Sequence, residues 1–293
     1  MENSRRDFLK YSVLAAGWSF LLPPSFIFGS KKADPNQETC TTKFEFAASE
    51  RLVDKSMSEV MAAIGHSFLD APYKGHTLEV GGKERLIVNL QEFDCVTFVE
   101  STFALARCIK LNKMTFDDFK KQLQLIRYRG GKINGYPSRL HYFSDWIDDN
   151  EKKGLIKNVA HELGGVPYDK TINFMSTHRS SYKQLGNGAN FQAITNTEAE
   201  LNKRPHFYLP KLNIQDAREA IQDGDIIGIT TSIDGLDITH TGMAFRLQGY
   251  LRFLHAPLSV GTIQITKRTI VDYLAVYEKH TGIMIARPVE PKA

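Results

Sequence analysis

Asn89-Leu90-Gln91-Glu92-Phe93-Asp94-Cys95-Val96-Thr97-Phe98-Val99-Glu100 places a thiol at the first turn of a helix. Asp94 is a good N-cap residue, with its carboxylate expected to turn onto the N–H groups two or three residues on. Val96, Val99, Phe103 and Ala106 fall on one stripe, with Phe98, Thr102 and Leu105 beside it. A helix apolar on so much of its circumference belongs in the middle of a core. Cys108, on the same helix, reads as a buried structural thiol.

The position of Cys95 matters chemically. A thiol is a poor nucleophile until it loses its proton, and the unpaired N–H groups and positive dipole of a helix N-terminus favour the thiolate. The adjacent Asp94 charge opposes that, unless capping occupies the carboxylate.

An imidazole must supply the rest, and two stand far downstream in strand-like segments. His240 lies in Asp237-Ile238-Thr239-His240-Thr241-Gly242-Met243-Ala244-Phe245, and His255 in Arg252-Phe253-Leu254-His255-Ala256-Pro257. Residues 238–247 and 250–256 read as strands joined by a tight Gln248-Gly249 turn. With those two residues at the turn, Leu247 pairs with Tyr250, His240 with Pro257 and His255 with Gly242. The histidines then share a sheet face, close enough for one to orient the other. Cys95 as nucleophile, His240 as base and His255 as orienting group form a thiol-hydrolase triad, with backbone N–H groups near Cys95 to hold an oxyanion. A zinc site from the same three residues is the competing reading, but the short-range ligand pairs common in such sites are missing.

The remaining elements give an α+β order. Residues 46–69 read as helices with Val60, Met61, Ile64 and Phe68 as an apolar stripe, and Leu86–Leu90 as a short strand leading to Cys95. Thr115 caps a helix through Ile126, and Gly130-Gly131 ends it. Gly135-Tyr136-Pro137-Ser138-Arg139-Leu140-His141-Tyr142-Phe143-Ser144-Asp145-Trp146 leads into another helix, with Ser138 as its cap. Residues 166–185 look irregular or strand-rich, 215–222 form a short helix, and 226–231 are a further strand.

Ser4-Arg5-Arg6-Asp7-Phe8-Leu9-Lys10 followed by the apolar stretch Tyr11–Phe28 reads as a twin-arginine export signal over residues 1–29. The mature protein is then expected in a bacterial periplasm, with no stable membrane insertion after cleavage. Residues 30–45 read as a loose lead-in and 46–293 as one catalytic domain. Cys40 has no small-residue lipoprotein pattern before it and reads as incidental. Three cysteines cannot all pair within one chain, so at least one thiol stays free.

The 42% apolar content supports a substantial core, and the formal charge of +4 carries no concentrated basic patch of the kind nucleic acid requires. A monomer acting without cofactor or metal is expected, with anionic cell-wall fragments compatible as partners.

These residues also carry a resemblance. Asp94-Cys95 opening a helix, His240-Thr241-Gly242-Met243-Ala244 on a strand and Leu254-His255-Ala256 on the next resemble the core motifs of NlpC-type cell-wall hydrolases, a papain-like superfamily. Phe93–Glu100 together with Ser138–Trp146 resembles, more particularly, the N-acetylmuramoyl-L-alanine amidase-like family within it, over roughly residues 50–288. The resemblance implies a papain-like fold with the nucleophile at the N-terminus of a central helix packed on an antiparallel sheet. It further implies hydrolysis of an amide in peptidoglycan fragments (muropeptides), above all the bond between N-acetylmuramic acid and L-alanine. Cutting between L-alanine and γ-D-glutamate, or between γ-D-glutamate and the diamino acid, is the alternative within the superfamily; a peptidoglycan-binding module without catalysis lies outside it.

On a helix starting near Ser138, Arg139, Tyr142 and Trp146 share a face. A cation beside two aromatics suits a peptide carboxylate or a sugar; the structural alternative pairs Arg139 with Asp145 or another acid. Tyr136, Ser138, Arg139, Tyr142 and Asp94 are therefore the expected substrate-binding residues.

Overall fold

The computed structural model describes residues 34–292, so the leader expected at 1–29 lies outside the described residues. Helix α1 (Pro35–Ser49) starts where Asp34 accepts the Asn36 N–H and proline occupies the first turn. The expected loose lead-in is thus helical from Pro35 onward. Its cause is a buried face of Cys40, Phe44 and Ala47, which the polar composition around it obscures. Cys40 is fully buried rather than incidental.

Next come α2 (Met57–His66), with a Ser56–Glu59 capping box, and α3 (Cys95–Lys110). Leu86–Leu90, expected as a strand, has no ladder partner: the Ile87 carbonyl accepts from Arg127 and the Leu90 N–H donates to Asn36 Oδ1. Helix α4 (Phe116–Arg127) is capped by Thr115 as expected.

The next helix, α5 (Phe143–Lys152), starts five residues later than Ser138. Tyr136–Ser138 form a 3₁₀ turn, after which Arg139 bridges Tyr128 and the Leu140 N–H bonds the Arg127 carbonyl at 3.0 Å. That pairing and its tertiary hydrogen bond draw the segment out straight.

Short elements follow: β1 (Ile156–Asn158), β2 (Val166–Pro167), α6 (Phe174–Thr177), α7 (Gly188–Leu201), β3 (Phe207–Pro210) and α8 (Ile214–Ala217). The C-terminal part holds β4 (Ile226–Thr231), β5 (Ile238–Leu247), β6 (Tyr250–His255), β7 (Gln264–Ile265), α9 (Ile270–Ala275) and β8 (His280–Pro288).

The strands form one antiparallel sheet in the order β2-β3-β8-β4-β5-β6-β7, with β1 also paired to β8. Alternation divides it into two faces. Ile226, Met243, Leu254 and Met284 join the main core with α1–α5, whereas Ile227, Ile229, Ala244, Phe253, Ile283 and Ile285 meet α8 and α9 on the other side. Such two-sided burial makes an α+β fold with a covered sheet. A third cluster of Tyr136, Tyr142, Ile172, Met175, Leu185, Ile194 and Leu201 binds the 172–201 segment to the extended stretch before α5.

Helix α3 is the axis of the main core. Every residue from Thr97 to Ile109 is buried, Cys108 included. Val96 departs from the expected stripe and is 40% exposed, because it faces the site instead of the core.

Candidate active site

Local hydrogen bonds fix the approach to Cys95. Asn89 Oδ1 accepts the N–H groups of Gln91 and Glu92, turning the chain, and Gln91 Nε2 donates to Pro35 O and Thr39 Oγ1 of α1. The Phe93 N–H donates to Pro72 O at 2.9 Å, and the fully buried Phe93 ring packs edge-on against Phe68 and Phe98. Asp94 then caps α3 as its sequence predicts. Its Oδ1 accepts the Thr97 N–H and the Thr97 hydroxyl, each at 2.8 Å, and its own N–H donates to Thr97 Oγ1 at 3.0 Å.

Cys95 is half-buried at the first position of the helix. Burial, followed by the Asp94 charge, pushes its thiol up to about 12, while hydrogen bonds from the N–H groups of Thr241, Val96 and Cys95 itself pull it down. The Thr241 contact brings the start of α3 against β5 next to His240.

The β5–β6 hairpin has the expected register, Leu247 opposite Tyr250 and Gly242 opposite His255. Gln248 and Gly249 both have positive φ, 55° and 80°, as a type I′ turn requires. The ladder ends at Gly242–His255, so His240 does not reach Pro257; its neighbour is Ile229 on β4. Across the hairpin His240 Nε2 lies 2.7 Å from His255 Nδ1. Gly242 permits this approach, since a Cβ there would lie 2.6 Å from Leu254 O and 2.8 Å from His255 Cβ.

Burial lowers the His240 imidazole to about 4, with a contribution from His280, and lowers His255 to about 3, with a contribution from His240. Both rings are neutral at pH 7.

Two clefts meet at Cys95. The first is mostly apolar, with Val99, Leu140, Tyr142, Phe143, Trp146 and Met175 in its wall, and holds His240. The second carries more ionisable side chains and includes Tyr73, His76, Glu79, Asp94, Arg127 and Arg139. Cys95, Val96, Glu100, Leu140 and His141 border both.

Of the expected binding residues, Tyr142, Arg139 and Asp94 border these clefts and Tyr136 and Ser138 do not. Tyr136 is buried against His141, ring centroids 4.4 Å apart, and the Ser138 hydroxyl donates to Gly135 O at 2.7 Å. Both are consumed in holding the turn. Arg139 and Trp146 do not share a helical face, because α5 begins after Arg139. The Arg139 guanidinium donates to Glu79 at 2.6 Å and to Leu78 O at 3.0 Å and lies 3.7 Å from Glu84, so its acid partners are Glu79 and Glu84 and not Asp145, which pairs with Arg129. Tyr142 donates its hydroxyl to buried Glu198 at 2.7 Å and accepts the Met175 N–H.

Sequence reasoning missed several lining groups. Met175 and Tyr182 come from α6 and the turns that follow it, and Glu100 is a buried acid, the one carboxylate on α3, bound to Arg127 at 2.6 Å. A carboxylate inside so apolar a run was the available signal for Glu100. Among the described residues, no three His, Cys, Asp or Glu side chains converge as metal ligands, and no helix is long and apolar enough to cross a membrane.

Residues 63–283 match the N-acetylmuramoyl-L-alanine amidase-like family. The crystal structure of an N-acetylmuramoyl-L-alanine amidase from Bacteroides uniformis superposes with a TM-score of 0.76 at 37% identity, covering 80% of this chain and 99% of that one. A Bacteroides fragilis protein described as a candidate xylanase is 39% identical, with a TM-score of 0.74 over 77% of this chain and 99% of its own. A Legionella pneumophila protein at 20% identity shares the fold, with a TM-score of 0.68 over 87% of this chain and 94% of its own. No curated protein matches the chain. With three quarters of its length matched and these neighbours in hand, the chain belongs to the N-acetylmuramoyl-L-alanine amidase-like family.

Proposed function

We propose that the protein is an exported cysteine amidase of NlpC-type, papain-like design that hydrolyses the bond between N-acetylmuramic acid and L-alanine in peptidoglycan fragments. The observation that carries this reading is the placement of Cys95 at a helix N-terminus, in one cleft with a His240 ring that is itself hydrogen-bonded to His255. The family and the Bacteroides uniformis neighbour support the substrate class. The Arg5-Arg6 leader supports periplasmic action.

Neutral resting partners dictate the order of proton transfers. His240 Nδ1 takes the thiol proton as Cys95 Sγ attacks the muramoyl carbonyl carbon, so charge forms only when substrate is present. The oxyanion is held by N–H groups at the start of α3, the set that already points at the sulfur. The imidazolium returns the proton to the departing amine of L-alanine, leaving a thioester. A water, deprotonated by His240, then releases the muramoyl carboxylate and restores the thiol. His255 accepts the His240 Nε2–H throughout, which keeps Nδ1 free as the base.

The label on the Bacteroides fragilis neighbour raises glycoside hydrolysis, which needs two available carboxyl groups flanking the bond. The carboxylates bordering the first cleft are committed elsewhere. Glu100 binds Arg127, and Asp237 accepts from the N–H and hydroxyl of Ser144 and from the Ile238 N–H. Mass spectrometry of products from a defined disaccharide-tetrapeptide tests the bond choice. A released peptide starting with L-alanine is expected; a muramoyl-alanine product would assign the endopeptidase alternative instead.

A further inference from the structure

His255 is fully buried, and its two ring nitrogens have unlike surroundings. Nδ1 meets His240 Nε2, while Nε2 has no oxygen or nitrogen partner among the described residues. If His240 is to accept a proton on Nδ1, its own hydrogen sits on Nε2 and is donated to His255 Nδ1. Neutral His255 must then carry its hydrogen on Nε2, which is the unpartnered atom. A buried N–H without an acceptor is costly, and the reverse tautomer would deprive His240 of its base form.

Besides His240, two aromatic rings adjoin His255. Phe253 lies at 4.8 Å with its plane tilted only 39°, too nearly parallel to receive an in-plane N–H. Tyr273 lies at 5.4 Å with the planes at 83°, an arrangement in which the edge of one ring meets the π face of the other. Helix α9 carries Tyr273 and is held by the Thr269 cap and by buried Ile270 and Leu274.

We propose that Tyr273 is a positioning residue: its ring face accepts an N–H···π bond from His255 Nε2, fixing the His255 tautomer and, through it, the base form of His240. The inference rests on the assignment of His240 as base. It needs the ring and not the phenol, which sets Tyr273→Phe apart from Tyr273→Leu.

Long-range ¹H–¹⁵N spectra of ¹⁵N-histidine-labelled protein read the tautomers directly. A pyrrole-like Nε2 and pyridine-like Nδ1 on His255 are expected in the wild type and in Tyr273→Phe, with kcat of that variant within about twofold. Tyr273→Leu is expected to mix the His255 tautomers and lower kcat about tenfold or more with KM little changed, the scale of lost outer partners elsewhere. A hydrogen on His255 Nδ1 in the wild type overturns the proposal, as does a folded Tyr273→Leu protein with unchanged tautomers and kcat. Should Tyr273→Leu not fold, the wild-type spectrum still decides. The expected tautomers in a protein inert toward muropeptides would support the ring contact and overturn the amidase reading.

Discussion

Replacing Arg127 with methionine tests how the core beside the site is held. Arg127 and Glu100 each have only 2% of their side chain accessible, and Arg127 Nε donates to Glu100 Oε2 at 2.6 Å while Nη1 donates to Ile87 O at 2.6 Å. Methionine fills most of the volume but leaves a buried carboxylate without its cation and the loop before Cys95 without a tie. Breaking such a pair from one side costs about 3–5 kcal/mol. For a domain of this size that is a fall in Tm of about 6–20 °C.

The loss must also depend on pH. Burial already raises the Glu100 carboxyl, with Arg127 opposing, and removal of Arg127 raises it further. Between the unfolded value of about 4.3 and that raised folded value, the native state holds a proton the unfolded chain has released, so stability falls as pH rises. The gap to wild type should therefore be widest above neutrality and shrink toward pH 5. Adding Glu100→Gln to Arg127→Met should recover a large part of it. Urea titrations of the three proteins at pH 5 and pH 8 give the result. A deficit under about 1 kcal/mol for Arg127→Met, or one unchanged between the two pH values, would refute the reasoning.

Other expectations concern the cleft itself. Asp94→Asn keeps an N-cap of equal quality but removes the charge beside the thiol, so Cys95 should be alkylated by iodoacetamide several-fold faster at pH 8, as followed by intact mass. The acid limb of kcat/KM, read in brief assays before acid unfolding, should lie near pH 4, where buried His240 titrates; a limb near 6.5 would mean an exposed ring. Gly242→Ala should lower stability by about 1–3 kcal/mol and depress activity as well, because its methyl would press on Leu254 O and His255 Cβ; calorimetry with a turnover assay checks both.

The C-terminal hairpin was legible from its turn as far as Gly242 and His255 because its signals are local, whereas the expected His240–Pro257 pair does not form. Alternation and a two-residue turn set the register, and the register alone put both imidazoles on one face. The α3 cap and Thr115 cap were legible for the same reason. Strand β8, central in the sheet, was not found: Gly282–Ala286 is buried on both faces, so it shows no alternation to read. Helix α1 was hidden by Gln, Glu, Thr and Lys around a narrow buried stripe. The error at Ser138 was of another kind. A plausible cap and helical spacing were overridden by pairing with Tyr128 and by the burial of Arg139 against Glu79, contacts formed by residues distant in the chain. The closeness of His240 and His255 was readable and much of the cleft wall was not, since Met175 and Tyr182 arrive on a segment whose placement depends on the Tyr142–Glu198 bond.

Turnover of a defined disaccharide-tetrapeptide by Cys95→Ala, measured beside wild type with both shown folded by circular dichroism, bears most directly on the central reading. Loss of at least about a thousandfold in rate is expected if the sulfur forms the bond to substrate. A folded Cys95→Ala protein that releases the L-alanyl peptide at a rate near wild type would contradict it.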